Sequence, residues 1–149
     1  MLTACGFRLQ AVENYPKLLG RTYIEAPDRY SVFYRQLYSK LERGGIIIVS
    51  SPIDSTAVIR IEKDITGQQV LTISSRNVPT EYDVYYSVTY SVLVDGKVIL
   101  PSRTLSFSQD YAYDETRILG KAREEMRIRE SVAAELVRLI NQELSRLGN

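Results

Sequence analysis

The most distinctive chemistry in this chain belongs to its single cysteine, Cys5, which follows Leu2, Thr3 and Ala4 and precedes Gly6. An apolar residue, two small residues and a cysteine form the pattern of a lipobox, in which the thiol is acylated and becomes the mature N-terminus. Each buried CH2 of an acyl chain contributes about 0.8 kcal/mol, and two or more chains hold a protein on a membrane. The alternative is an ordinary lone thiol, because short runs of this kind also arise by chance.

Residues 1–4 are interpreted as the remnant of a signal peptide, because the basic and apolar regions that precede a lipobox do not appear before them. We therefore take the sequence as a truncated form that is not itself lipidated, with Cys5 as the mature N-terminus. The 149 residues, of which 44% are hydrophobic, predict a single domain over residues 1–149. No run of about 18 apolar residues is present, so any membrane attachment is expected through Cys5 or a partner.

Composition argues against catalysis and against nucleic-acid binding. The chain has no histidine, which is the commonest general base and metal ligand, and its one cysteine cannot form an intramolecular disulfide. With 19 basic and 18 acidic residues, the net charge of +1 lacks the basic excess that binding a phosphate backbone requires. No nucleophile elbow, phosphate loop or metal-spaced cluster appears. We predict no catalytic residue, no metal, no cofactor and no nucleic-acid partner.

A first helix is predicted to begin at Pro27 and Asp28, because aspartate caps free backbone N–H groups. A strand candidate over residues 18–25 precedes it, and Gly44 with Gly45 is expected to end it. The helix carries a stripe that is aromatic and aliphatic, which could line a ligand site but more often packs into a core. The stripe consists of Tyr30, Phe33, Tyr34, Leu37, Tyr38 and Leu41.

Alternating hydrophobicity predicts several strands after this helix. Three short strands are expected over residues 46–50, 57–65 and 69–74, the last after a turn at Thr66 and Gly67. A long hairpin follows, with residues 81–94 and 97–111 joined by the Asp95-Gly96 turn, and Pro101 suggests that its second strand lies at an edge. One face of the first hairpin strand is expected to be buried: Tyr82, Val84, Tyr86, Val88, Tyr90, Val92 and Val94.

The spacing of apolar residues then changes to the period of a helix, which is predicted over residues 115–147. An unbroken helix of this length would span about 50 Å, so Gly120 is expected to mark a break unless one end projects. The order of elements predicts an α+β fold, a two-layer sandwich with two amphipathic helices on one face of a mostly antiparallel sheet of about four strands. Charged residues near the start of this helix are interpreted as a solvated face: Arg123, Glu124, Arg127, Arg129 and Glu130.

The second face of the long hairpin is rich in hydroxyl groups and poor in charge. An exposed sheet face more often mixes Lys, Glu and Arg, so this face either meets another polar wall or is an ordinary solvent face. The polar lumen of a large outer-membrane barrel is one setting that suits such a surface. The candidate partner-facing residues are Ser87, Thr89, Ser91, Ser102, Thr104, Ser106 and Ser108.

Several short segments resemble one known family. The segment Cys5-Gly6-Phe7-Arg8-Leu9 is similar to the opening of the mature LPS-assembly lipoproteins, the LptE (RlpB) subunit of the lipopolysaccharide translocon. Further segments agree in order: Arg76-Asn77 before Glu81-Tyr82, the hairpin, Tyr113-Asp114, Leu119-Gly120-Lys121 and the leucine-spaced end of the last helix. The resemblance covers nearly the whole chain and differs at Gly120, where the family commonly has alanine.

The resemblance implies two helices on a four-stranded sheet, and it implies a function. Members are outer-membrane lipoproteins on the periplasmic side that plug the β-barrel of LptD, assist its folding and bind lipopolysaccharide. A basic residue in the loop after the third strand and a lysine after the hairpin are implicated in that binding, and they correspond to Arg76 and Lys121. Without the resemblance, an exposed arginine in a loop and a lysine at a helix start would be unremarkable.

Two other functions remain open from the sequence. One is a generic envelope lipoprotein module that binds another periplasmic or outer-membrane partner. The other is an enzyme, which would have to use Asp, Glu, Ser or Lys because no histidine is present.

Overall fold

A five-stranded mixed sheet with two helices packed on one face forms the protein, as a computed structural model describes it for residues 14–114, 116 and 118–148. The predicted α+β class and the helical layer are confirmed. The strand order across the sheet is β2-β1-β3-β4-β5. The elements are β1 (Arg21–Glu25), α1 (Val32–Arg43), β2 (Ile47–Ile48), β3 (Ala57–Ile73), β4 (Pro79–Val94), β5 (Lys97–Ala112) and α2 (Ile118–Ser145).

The expectation of about four mostly antiparallel strands is wrong for the first part of the sheet. Strand β1 pairs in parallel with β2 on one side and with β3 on the other. Helix α1 connects β1 to β2, and a helical crossover of this kind returns the chain in the same direction. Among the strands of the described residues, only β3, β4 and β5 pair antiparallel, as the hairpin pattern predicted.

Helix α1 begins later than predicted. Ser31 is its N-cap, and the Ser31 Oγ accepts a hydrogen bond of 3.0 Å from the backbone N–H of Tyr34. Asp28 instead accepts from the N–H of Tyr30 and so closes a local turn before the helix. Tyr30 therefore lies outside the helix and is 88% exposed, whereas the other members of the stripe pack against the core. For these residues, the prediction of a stripe that packs into the core, rather than one that lines a ligand site, is confirmed.

Strand β3 is continuous where the sequence suggested a turn. Gly67 pairs with Tyr85 of β4, and Thr66 pairs with Tyr86, so the antiparallel ladder runs through both positions. A Cβ on Gly67 would come within 2.5 Å of the Tyr85 hydroxyl oxygen. Glycine here makes room for an aromatic ring rather than for a turn. Conversely, the strand predicted over residues 46–50 shortens to Ile47–Ile48.

The long hairpin agrees with its prediction. Asp95 and Gly96 have φ angles of 50° and 76°, the left-handed pair that a tight two-residue turn requires. Strand β5 is an edge strand, and the register of its pairing with β4 shifts between Val98 and Leu100 and again between Leu100 and Arg103, the stretch that contains Pro101. The inner face of β4 is buried from Val84 to Val92, as its alternation indicated.

Helix α2 is unbroken from Ile118 to Ser145, so Gly120 lies within its first turn and marks no break. Its 28 residues span about 42 Å and run along β4, against which the helix packs. Its apolar stripe, which includes Val132, Leu136 and Ile140, joins the core formed by α1 and the sheet. In the charged collar, Arg127 and Glu124 form an exposed ion pair, as a solvated face would, whereas Arg129 is half-buried and pairs with Glu125.

A half-buried carboxylate connects the start of α1 to the sheet. Asp64 Oδ1 accepts a hydrogen bond of 2.6 Å from the Tyr86 hydroxyl, and Asp64 Oδ2 accepts one of 2.5 Å from the hydroxyl of Ser31. The same Ser31 oxygen caps α1, so one carboxylate fixes both the cap and a core tyrosine. Burial, followed by the hydrogen bond that the Tyr86 hydroxyl donates to Asp64, raises the pKa of Tyr86 well above its usual value.

We expect Asp64→Ala to lower the free energy of unfolding by about 1–3 kcal/mol, because the buried Tyr86 hydroxyl loses its acceptor. Urea unfolding followed by circular dichroism measures this change. Asp54→Ala, which removes an exposed carboxylate, is the matched control and should change stability little. An equal effect of the two substitutions would contradict the role given to Asp64.

Candidate functional site

Arg76 lies in the turn that joins β3 to β4. The backbone N–H of Ser74 donates to the carbonyl of Val78 at 2.8 Å, and the N–H of Asn77 donates back to the carbonyl of Ser74 at 2.9 Å. Asn77 has a φ of 62°, a conformation that asparagine tolerates better than most residues. The tight turn leaves the Arg76 side chain exposed to solvent.

Lys121 lies in the first turns of α2, and its ammonium is held against two aromatic rings. The Lys121 Nζ is 4.8 Å from the ring centre of Tyr82 and 4.6 Å from that of Tyr113. Both distances lie within the range at which the negative face of an aromatic ring attracts a cation. Lys121 is half-buried as a result, unlike a freely solvated lysine at a helix start.

The structure brings the two predicted cations to the same end of the sheet. Ile73 and Pro79 form the last pair of the β3–β4 ladder before the turn that carries Arg76. Tyr82, which contacts Lys121, is three residues further along β4, about 10 Å from that pair at the usual rise of a strand. We call this end, with Arg76 and Lys121, the cationic end.

Exposed aliphatic side chains accompany these two cations. Val70, Leu71 and Ile73 near the end of β3 are 43%, 48% and 56% exposed. Positive charge and apolar surface therefore lie next to each other at the cationic end, which is the combination that an anionic lipid would meet favourably.

A cleft of about 410 Å³ opens beside Lys121. Among the described residues that line it are one cation and two carboxylates, so the charge of this lining is mixed rather than simply positive. Asp114 accepts hydrogen bonds from the backbone N–H and the hydroxyl of Thr116, and Glu124 lies 3.6 Å from Arg127. The cleft is lined by Tyr111, Ala112, Tyr113, Asp114, Gly120, Lys121 and Glu124.

The predicted hydroxyl-rich surface lies on the face of the sheet opposite the helices, here called the outer face. Two pairs of hydroxyls join β4 to β5. The Ser106 hydroxyl donates to Ser87 at 2.9 Å, and those of Thr89 and Thr104 are 2.8 Å apart. These residues partly satisfy one another, and their remaining lone pairs are left for other donors.

The outer face carries more charge than the sequence indicated. The hydroxyls of Ser91 and Ser102 both donate to Glu62, at 3.2 and 2.8 Å. A register shift between Ile61 and Lys63 lies at Glu62, and simple alternation along β3 does not foresee it. Ser91 is also buried, so it is a poor candidate for contact with a partner. The expectation of a face poor in charge is wrong here.

A pair of carboxylates also lies on the outer face. Asp83 of β4 stands directly opposite Asp110 of β5 and is only 6% exposed. Asp83 Oδ2 accepts a hydrogen bond of 3.0 Å from the Gln69 side chain, while Oδ1 receives none from the described part of the chain. Desolvation raises the pKa of Asp110, and the neighbouring carboxylates of Asp83 and Glu81 raise it further.

The structure does not test the predicted lipidation site. Cys5 lies outside the described residues. Among the residues that the structure describes, no three acidic or cysteine side chains come together as a metal site. No helix in the described segments has the length and hydrophobicity to cross a bilayer. Sequence reasoning missed the contact of Tyr82 and Tyr113 with Lys121, although it singled out Tyr113-Asp114 and Lys121 separately.

The order of elements and the single helical layer define a known class of small α+β domain found in bacterial lipoproteins. A lipoprotein B from Nitrosomonas europaea is similar with a TM-score of 0.77 and 22% identity, over 94% of this chain and 90% of that one. The minor lipoprotein of Acinetobacter baumannii is similar with a TM-score of 0.70 and 22% identity, over 85% and 91%. The rare lipoprotein B of Shewanella oneidensis has a TM-score of 0.72 and 22% identity, over 84% and 93%. These structural similarities show a shared fold.

The family follows from the sequence match. The model of the lipopolysaccharide-assembly family LptE matches residues 19–144, so the chain belongs to this family. The LPS-assembly lipoprotein LptE of Yersinia enterocolitica is 27% identical over 138 residues, which cover 90% of this chain and 67% of that protein. The resemblance noted in the sequence is confirmed, and the chain is a lipopolysaccharide-assembly lipoprotein of outer-membrane biogenesis.

We expect Asp110→Asn to increase stability at neutral pH, where Asp83 and Asp110 otherwise repel each other. The pKa of Asp110 is higher in the folded chain than in the unfolded chain. The stability that protonation of Asp110 provides is therefore present at low pH, and it is lost as the pH rises through the pKa that Asp110 has in the folded chain. The gain from Asp110→Asn should shrink toward about pH 3, as urea unfolding at several pH values measures. A gain independent of pH would contradict this account.

Proposed function

We propose that this protein binds lipopolysaccharide at the cationic end and sits as a plug in the LptD barrel of the outer membrane. Membership of the lipopolysaccharide-assembly family supports the proposal. The observation that carries it is the presence of Arg76 and Lys121 at one end of the sheet, although 45 residues of sequence, 76 to 121, separate them.

The chemistry of this end suits the head of an anionic lipid. The planar guanidinium of Arg76 can bond two phosphate oxygens at once, and the ammonium of Lys121 acts as a point charge. Exposed aliphatic side chains beside Arg76 provide apolar contact for acyl chains. The carboxylates of the cleft disfavour a free anion within it, so the phosphate is expected at the Lys121 ammonium and near the opening.

The outer face supports the second part of the proposal. The paired hydroxyls of β4 and β5 present a surface that can donate and accept hydrogen bonds with the polar lumen of a barrel. The helical layer covers the other side of the sheet, which leaves the outer face as the sheet surface for LptD. Ser91 is excluded from this surface by its burial.

The proposal includes a lipid anchor. Residues 5–149 would form one domain tethered through acylated Cys5 to the periplasmic side of the outer membrane. Two or more acyl chains would make the tether stable, because each buried CH2 adds about 0.8 kcal/mol. The domain is proposed to act without enzymatic activity and without a cofactor.

Lipopolysaccharide binding tests the cationic end. We expect Arg76→Ala and Lys121→Ala each to weaken binding about threefold to tenfold, since both side chains are partly solvated and their contacts to phosphate are weakened by salt. Titration of fluorescent lipopolysaccharide at two ionic strengths measures the change. Lys97→Ala at the opposite end of the hairpin is the control and should bind like the unsubstituted protein.

Equal binding by all three variants would contradict the proposed site. Failure of the unsubstituted protein to bind lipopolysaccharide would favour the alternative of a generic envelope lipoprotein module with another partner.

Crosslinking to coexpressed LptD tests whether this protein sits as a plug in the barrel. A photoreactive residue at Thr104 or Ser106, both exposed on the outer face, is expected to crosslink to the barrel. Arg35, exposed on α1, is the matched position on the helical layer. Crosslinks from Arg35 alone would contradict the assignment of the outer face to LptD, and failure to copurify with LptD would count against the plug as a whole.

A further inference from the structure

The ammonium of Lys121 is held by a cluster of tyrosines that belongs mostly to the sheet. Tyr82 stacks on Tyr111 with ring centres 5.6 Å apart and an interplanar angle of 18°. Tyr113 meets Tyr82 edge-on, with ring centres 5.7 Å apart and an angle of 87°. Lys121 Nζ lies over both Tyr82 and Tyr113, at 4.8 and 4.6 Å.

We propose that Tyr82 and Tyr113 are positioning residues that hold the Lys121 ammonium ready for a phosphate group of lipopolysaccharide. The inference rests on the proposed function, since it concerns how that site works rather than whether it exists. It gives a role to two residues that sequence reasoning assigned only to the core or to a family motif.

Restriction of the lysine side chain is the first physical argument. A lysine at a helix start is free to rotate about its four-carbon stem, and rotamer entropy is lost when such a side chain is fixed. Two ring faces restrict Lys121 before a ligand arrives, so less of this cost falls on binding.

The way in which the backbone fixes the two rings is the second argument. The backbone N–H of Tyr113 donates to the carbonyl of Thr80 at 2.8 Å, which fixes Tyr113 beside the start of β4. Tyr82 is held by its place in the ladder, opposite Val70 on one side and Tyr111 on the other. The rings are therefore fixed by the sheet, whereas the ammonium comes from α2.

The neighbouring charges are the third argument. Asp114 and Glu124 line the same cleft as Lys121, and each has a partner of its own in Thr116 or Arg127. An ammonium neutralised by a carboxylate would offer little to a phosphate. Ring faces attract the cation without cancelling its charge, so the ammonium remains available to an anion.

Paired substitutions test the proposal. Phenylalanine keeps the ring face and leucine removes it, so Tyr82→Phe and Tyr113→Phe should bind lipopolysaccharide within about twofold of the unsubstituted protein. Tyr82→Leu and Tyr113→Leu should each bind about twofold to fivefold more weakly, the loss expected for one cation–π contact. Tyr23→Leu removes a ring 5.8 Å from Arg29 and is the matched control, with no expected effect on binding.

A second readout needs no ligand. The ring faces should shift the NMR signals of the Lys121 side-chain methylene next to the ammonium upfield. That shift should persist in both phenylalanine variants and diminish in both leucine variants, while urea unfolding shows whether each variant is folded. In the Lys121→Ala background the leucine substitutions should have no further effect on binding, whereas Arg76→Ala should still weaken it.

The outcomes separate the two proposals. Weaker binding by Lys121→Ala together with unchanged binding by both folded leucine variants would overturn the positioning role and leave the function standing. Equal losses in the phenylalanine and leucine variants would also overturn it, because the hydroxyl and not the ring would then matter. Unchanged binding by Lys121→Ala would overturn the proposed site, and the positioning role with it.

Discussion

Burial of the inner face of β4 beneath the helices is the interaction on which the rest of the structure depends. Its side chains lose nearly all contact with water, which stabilises the fold by about 25 cal/mol for each Å² of apolar surface covered. Two of them are tyrosines, whose hydroxyls would be costly to bury alone. The Tyr86 hydroxyl donates to Asp64, and the Tyr90 hydroxyl donates to Glu143 of α2. The buried side chains are Val84, Tyr86, Val88, Tyr90 and Val92.

This packing also determines where the functional groups lie. Because α2 runs along β4, the first turns of the helix lie beside the first residues of the strand, and Lys121 therefore meets Tyr82. The same strand begins just after the turn that carries Arg76. The hydroxyl groups of the outer face follow from strand alternation, since every second residue of β4 must point away from the helices. One long strand thus supplies a core, a cationic end and a polar surface.

Periodicity predicted the class of the fold well and its connections less well. The inner face of β4, the Asp95-Gly96 turn and the edge position signalled by Pro101 were all visible as local patterns. The parallel pairing of β1 was not, because nothing in five residues states which strands they will meet. Gly67 suggested a turn, since the sequence does not show that the ring of Tyr85 lies over it.

The candidate site, like the fold, was predictable from the sequence only in part. Arg76 and Lys121 came from a resemblance, whereas the ring contacts of Lys121 depend on tertiary packing that spacing alone does not reveal. The two register shifts near Pro101 were equally invisible. A ladder extrapolated from the Asp95-Gly96 turn would place Ser108 opposite Asp83, but these shifts bring Asp110 there instead.

Helix α2 follows all five strands in sequence, and this order has a consequence for biosynthesis. The core side chains from Ile128 to Leu144 are synthesised after the strands that they cover. A nascent polypeptide that lacks them exposes the apolar side of its hairpins, so cooperative folding must wait until α2 has been synthesised. Most stabilising pairs join residues distant in sequence, which slows the search for the native topology. Loss of even a few turns of α2 would leave an aggregation-prone intermediate rather than a smaller domain.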